Sequence, residues 1–313
     1  MLRVVFFGTP KIAVNSLEYL YNSKEIEVVA VVTQEDKPSG RGHKLCAPPI
    51  KEKAQELGIK VFQPKSIRKE PEIMQALKDL NPDFFVTFAF GQILSQEVLD
   101  IPKYATINLH ASLLPKYRGA NPIQRCIYNG DKITGVTTMI TVLELDAGDI
   151  CQTKEIEITE KMTDVELATI ISEISPSLIE DTLIKLASGE LIPRKQDETK
   201  VTFANKFAKQ DGLIDFNKNA KNIEYQVRAM YSWPNAFTYY NSKILKIMDA
   251  QAIPYEGCEE NGSVISVTKE GIEICAGKDK LLVKKVKPEG KGLMDAYAWA
   301  NGSGIKTGDK LGE

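Results

Sequence analysis

At 313 residues, with 43% of them hydrophobic and 26% charged, the chain can bury a substantial core in a large domain plus a smaller one, which excludes a disordered polypeptide. Its formal net charge of -2 excludes a uniformly basic nucleic-acid binder, so any contact with RNA has to be local. No apolar run approaches the roughly 20 residues of a membrane helix, and residues 1–7 lead into a turn instead of a secretory cleavage site, so a cytosolic protein without membrane contact is expected.

The first half alternates short β-rich apolar runs with helical patterns. Residues 2–7 read as a strand and 10–22 as a helix, then 27–33 and 49–57, then 83–89 and 92–99. Such alternation predicts an α/β fold with a mostly parallel, Rossmann-like sheet and helices on both faces. The run Val28-Val29-Ala30-Val31-Val32 is apolar throughout, as a strand buried on both sides requires. Phe7-Gly8-Thr9-Pro10 ends the first strand with one glycine where a dinucleotide fingerprint has three. That argues against a nicotinamide enzyme and gives Gly8 the strand-to-helix turn, with Pro10 opening the helix.

Further on, residues 163–186 form a long helical pattern interrupted by Pro176, where a kink or break is expected. Residues 191–202 read as a polar extended connector. A helix over 219–231 precedes short strands at 237–240, 244–248, 262–267, 271–276 and 280–287, a spacing that predicts a small, OB-like β-barrel. The expected division is residues 1–206, with the connector from about 190, and residues 207–313. Five scattered cysteines (Cys46, Cys126, Cys151, Cys258, Cys275), no C-x-x-C pair and two histidines argue against a disulfide framework and a zinc site, so no metal is expected. Two windows are locally basic, 37–53 (Lys37, Arg41, Lys44, Lys51, Lys53) and 278–287 (Lys278, Lys280, Lys284, Lys285, Lys287).

The strand at 104–110 alternates, so Asn108 and His110 project from one face. An amide and an imidazole together suit acyl transfer: the amide N–H can stabilise an oxyanion, and the imidazole exchanges a proton near neutral pH. A turn-rich loop follows, Ala111-Ser112-Leu113-Leu114-Pro115-Lys116-Tyr117-Arg118-Gly119. Asp146 and Asp149, after the apolar run at 136–143, can orient an imidazole, but they suit a turn or a cation site equally and spacing does not choose.

The run N-x-H-x-S-L-L-P-x-Y-R-G at 108–119, followed by L-D-x-G-D at 145–149, resembles the folate-dependent formyltransferase superfamily. Gln34-Glu35-Asp36-Lys37-Pro38-Ser39-Gly40-Arg41-Gly42-His43-Lys44-Leu45 resembles the Q-x-D-x-P-x-G-R-G-x-K-L loop of the branch that formylates charged initiator tRNA. Gly119-Ala120-Asn121-Pro122-Ile123-Gln124-Arg125, Gln196-Asp197-Glu198-Thr199 and Trp233-Pro234 stand where that branch has them. Phe90, Ala111, Thr141 and Glu144 depart from its commoner residues.

The resemblance implies Asn108, His110 and Asp146 as catalytic trio, and Ser112, Leu113, Leu114 and Pro115 as folate-binding loop. It implies 10-formyltetrahydrofolate as formyl donor without a metal, methionyl initiator tRNA as acceptor, and a cytoplasmic monomer. Arg41 and Lys44 are expected near the acceptor end of the tRNA, with Lys284 and Lys285 on its phosphates. A small amine nucleotide or sugar nucleotide as acceptor, and a catalytically silent nucleic-acid-binding protein, are the competing readings.

Overall fold

Val4 through Phe7 have no solvent exposure, and the strand they belong to, β1 (Leu2–Gly8), runs through the middle of a seven-stranded sheet. The computed structural model describes residues 1–39, 44–257 and 260–312. After β1 come a 3-10 turn (Lys11–Ala13), α1 (Val14–Tyr21), β2 (Ile26–Val32), the antiparallel pair β3 (Lys37–Ser39) and β4 (Lys44–Cys46), α2 (Pro49–Glu56) and β5 (Val61–Phe62). The chain continues through α3 (Pro71–Asp79), β6 (Phe84–Phe88), α4 (Gln96–Leu99), β7 (Ala105–His110), β8 (Arg118–Gly119), α5 (Pro122–Tyr128), β9 (Ile133–Ile140) and β10 (Ile150–Glu157). Then follow α6 (Asp164–Ser188), β11 (Phe203–Ala204), α7 (Ala220–Ala229), β12 (Ala236–Tyr240), β13 (Lys243–Ile253), β14 (Val264–Thr268), β15 (Gly271–Cys275), β16 (Lys280–Pro288), β17 (Met294–Asp295) and α8 (Ala296–Ser303).

One compact unit comprises Met1–Gly119, Ile133–Glu157 and Ala168–Ala204. Its sheet has the order β10-β9-β7-β6-β1-β2-β5. The five strands from β7 to β5 are parallel, while β9 runs antiparallel to β7 and β10 antiparallel to β9. The sheet is therefore mostly parallel, as the alternating pattern predicts. Phe7 packs against Phe85 and Phe90, with ring centroids 4.9 and 5.3 Å apart, and Ile67, Leu77 and Val98 close over them. Each such fully buried side chain contributes about 1.5–3 kcal/mol, which is what locks β1 between β2 and β6. Ligands of such sheets bind beyond the C-terminal strand ends, here the ends of β6 and β7.

The 25-residue α6 runs through Pro176 as a single helix, where the sequence suggested a kink or break. Proline removes one backbone hydrogen bond, and the buried stripe Ile171, Ser175, Ile179 and Leu183, at four-residue spacing, continues across the gap. Burial of that face outweighs the missing bond.

The second unit comprises Ala120–Lys132, Ile158–Leu167 and Asn205–Glu313. Its sheet is antiparallel, in the order β12-β13-β16-β15-β14, with β17 added to β16. Ile223 and Val227 of α7 and Ala296 and Ala300 of α8 pack on Leu245, Ile247, Val264, Ile272, Val283 and Val286 to form its core. The Asn219 side chain starts α7 by accepting from the Lys221 amide at 2.9 Å. β13 extends beyond the predicted 244–248 because register shifts on either side of Asp249 let it keep pairing with β16 while its twist changes.

Candidate active site

Asn108 and His110 lie on one face of β7, near its C-terminal end. The carboxylate of Asp146 reaches them from the loop between β9 and β10, with Oδ2 3.6 Å from His110 Nδ1. His110 is buried at 5% exposure, and its Nε2 lies 2.8 Å from the Tyr117 carbonyl oxygen. A carbonyl only accepts, so Nε2 carries a proton. Nδ1, facing Asp146, is thereby the nitrogen left for proton exchange.

Asp146 is held by several independent contacts. Its Oδ2 accepts the Gly119 backbone N–H at 2.7 Å. Its own carbonyl and that of Gly148 both accept from Gln196 Nε2, each at 2.7 Å. Gln196 Oε1 in turn accepts from Arg118 Nε and Nη2 at 3.1 and 2.9 Å, and Glu198 pairs with the same guanidinium at 2.7 Å. The amide orientation of Gln196 follows from chemistry, since a guanidinium only donates and the two carbonyls only accept. Asp146 itself has a positive φ of 50°. Gly148 is required where it stands, because a Cβ there would sit 1.7 Å from the Ile140 carbonyl oxygen. That close approach gives the Asp-x-Gly-Asp turn its shape.

Thr87, in register with Asn108 on neighbouring β6, donates its hydroxyl to Asn108 Oδ1 at 2.9 Å. Among the described residues the Asn108 amide N–H2 has no hydrogen-bond partner, and the side chain is half-buried. A donor is thus held ready at the strand end.

The loop at 112–115 is shaped by a second threonine. Thr137, on β9 and fully buried, donates to the Ser112 carbonyl at 2.7 Å and accepts from the Leu114 amide at 3.2 Å. Ser112 Oγ donates to the Lys116 carbonyl at 2.6 Å, so this hydroxyl is taken up in closing the loop. The Leu114-Pro115 peptide is cis. Leu114 packs with Met139 and Ile150, while Leu113 and Pro115 remain half-buried.

Arg41 lies outside the described residues, as does the side chain of Lys44, whose backbone belongs to β4. Two other cations of that basic window are already engaged. Lys51 meets both carboxylate oxygens of Asp36 at 2.8 Å, and Lys53 lies 3.3 Å from Glu18 and 2.9 Å from Glu56. Hydrogen bonds from Gln63 and Lys51 hold the Asp36 carboxyl below its usual range.

In the second unit Lys285 is exposed, and Lys284 donates to Gln251 Oε1 at 2.7 Å. The sequence windows did not group another set of lysines there. Lys246 of β13 stands opposite Lys287 of β16, and burial, with Lys287 and Lys209 beside it, lowers its pKa. Phe237 pairs with Lys246 from β12 and stacks edge-on with Tyr239. Like charges directly opposite across strands oppose folding, and Lys246 and Lys287 together make this spot locally basic, with Phe237 buried beside it. Cys151 is buried, and burial followed by the nearby Asp149 charge pushes its thiol up to about 12. No cluster of three or more potential metal ligands occurs among the described residues.

A mostly parallel sheet that carries an amide and an imidazole at the end of one strand, with a carboxylate 3.6 Å from the imidazole, suits acyl transfer, and the class of the protein is that of the formyltransferases. The Formyl transferase family matches residues 2–183, and its Formyl transferase, C-terminal domain family matches residues 206–304. The chain belongs to the methionyl-tRNA formyltransferase family. It is 43% identical over 305 residues to the methionyl-tRNA formyltransferase of Clostridium novyi (strain NT), covering 97% of this chain and 98% of that one. It is 40% identical over 314 residues to that of Ruminiclostridium cellulolyticum, covering 100% of both. The fold also resembles the N-formyltransferase of Helicobacter canadensis solved with folinic acid and dTDP-3-aminofucose, with a TM-score of 0.66 at 21% identity, over 90% of this chain and 99% of that one.

Proposed function

We propose that this chain transfers the formyl group of 10-formyltetrahydrofolate to the α-amino group of methionyl initiator tRNA, as a cytoplasmic monomer. No described helix is long and apolar enough to cross a membrane. The observation that carries the reading is the half-buried Asn108 side chain, whose N–H2 has no partner among the described residues, beside a histidine whose Nδ1 faces a fixed carboxylate.

When bound, the folate supplies an activated formyl group on nitrogen. Leu113 and Pro115 offer half-buried apolar contacts to it on a loop pinned by Thr137. Asn108 Nδ2 donates to the formyl oxygen as negative charge develops there, a contribution typically worth about 10²–10³ in rate. The bond from the α-amine to the formyl carbon forms, the bond from that carbon to the folate nitrogen breaks, and the proton released by the amine is returned to the folate nitrogen. His110 Nδ1 is placed to pass that proton, with Asp146 stabilising the charged ring between transfers.

Lys209, Lys285 and Lys287 supply phosphate contacts in the second unit, with Lys246 held among them by its bond to Asn235 Oδ1 at 2.6 Å and adding to the local positive charge, and Arg41 and Lys44 are assigned to the acceptor end of the tRNA. A formyl-transfer assay with 10-formyltetrahydrofolate tests the proposal against charged initiator tRNA, charged elongator tRNA and a small amine nucleotide. Preferential formylation of charged initiator tRNA is expected. Turnover confined to the small amine nucleotide contradicts the acceptor, and no turnover with any of the three contradicts the activity.

A further inference from the structure

β6 is Phe84-Phe85-Val86-Thr87-Phe88, buried along its whole length, and Thr87 is its one polar side chain. In such a strand valine has the same shape without a hydroxyl to satisfy. The hydroxyl of Thr87 makes only a long contact to the backbone of the sheet, 3.5 Å to the Ile107 carbonyl. It points across the parallel pair to Asn108, its register partner, and donates to Oδ1 at 2.9 Å.

We infer that Thr87 is a positioning residue for formyl transfer: its hydroxyl holds the Asn108 carboxamide in the one orientation that presents Nδ2 to the reacting oxygen. The inference rests on the proposed function, because it assigns Asn108 the role of oxyanion donor. A primary amide has two orientations of nearly equal shape, and only one of them offers a donor to the cleft; the other offers a carbonyl oxygen that would repel developing negative charge. In the flipped orientation Nδ2 would donate to Thr87 Oγ1, and the hydroxyl proton would have to turn to the Ile107 carbonyl, 3.5 Å away. That separation lies beyond the range of a good O–H···O bond, so the flipped amide still bonds Thr87 once but leaves a buried hydroxyl proton without a good acceptor, which carries the desolvation cost of an unsatisfied donor. Thr87 thereby biases Asn108 before substrate arrives, and the site need not spend binding energy on turning the amide.

The experiment compares Thr87→Val, Thr87→Ser, Asn108→Ala and the double variant Thr87→Val with Asn108→Ala in formyl transfer to charged initiator tRNA, each with its Tm. Loss of one neutral hydrogen bond predicts a fall in kcat of about three- to tenfold for Thr87→Val, with both KM values within about twofold of wild type. Thr87→Ser restores kcat, and Thr87→Val has no further effect once Asn108 is alanine. Separately from turnover, the Asn108 side-chain amide gives one sharp pair of signals in a nitrogen-edited NMR spectrum of the wild type, and shifted, broadened signals in Thr87→Val. An unchanged kcat in Thr87→Val, a loss that serine does not restore, an equal loss in the Asn108→Ala background, or an unchanged amide spectrum overturns the inference. Those results leave the proposed function standing; full turnover by Asn108→Ala is the different outcome that removes the role given to Asn108.

Discussion

The side-chain amide of Gln196 joins three parts of the N-terminal unit, binding the Arg118 guanidinium with its oxygen and the carbonyls of Asp146 and Gly148 with its nitrogen. Arg118 is 2% exposed, and a charge so buried is tolerated only when its donors are matched, here by Gln196 and Glu198. The neighbouring Asp197 gives this segment a pH dependence. Hydrogen bonds from the Thr199 hydroxyl, from Lys200 and from the Thr199 amide lower its pKa to about 2. A carboxylate whose folded pKa lies below its unfolded value stabilises the fold above the unfolded value, about 3.9, and loses that contribution as pH falls through the folded one. Wild type should therefore be more stable than Asp197→Ala at pH 6, and the gap should close between about pH 4 and pH 2 in denaturant titrations. A gap independent of pH contradicts the assignment.

At the level of elements, β7 supplies two of the three side chains proposed to react, and β6 and β9 on either side each supply a threonine bonded to what β7 and its following loop present. Thr137→Val keeps the volume of a fully buried side chain while removing both hydrogen bonds to the loop. The expected result is a drop of about 1–2 kcal/mol in stability and a several-fold rise in KM for the folate, with the KM for tRNA unchanged. An unchanged folate KM contradicts the loop's role.

The strands β1, β2 and β6 were legible in the sequence as β-rich apolar runs ended by a turn, and β7, with the shared face of Asn108 and His110, from its alternation. Asp146 was not separable from Asp149 by spacing, and the motif resemblance chose it. Thr87, Thr137 and Gln196 were hidden as partners. Gln196 meets Arg118 across 78 residues of chain, and only the strand order brings such groups together. The short helices α3, α5 and α8 escaped because each is held by tertiary burial and carries too few turns for its periodicity to stand out.

For the whole molecule, a net charge of -2 hides a local basic face. Replacing Lys246 and Lys287 together by alanine should raise the KM for charged tRNA and flatten its salt dependence, by about 0.7–0.9 in the log–log slope for each phosphate that is no longer neutralised. The folate KM should stay constant. An unchanged slope moves the phosphate-binding surface elsewhere.

One amide, one imidazole and one carboxylate are proposed to act as a unit in this enzyme, and single-turnover formyl transfer by Asn108→Ala, His110→Ala, Asp146→Ala and the triple variant puts that unity to the test. Folded proteins are expected, with rates lowered at least about 10²-fold in each single variant and a triple variant scarcely slower than the worst of them. Rates near wild type in all three single variants, or decreases that simply multiply in the triple variant, contradict it.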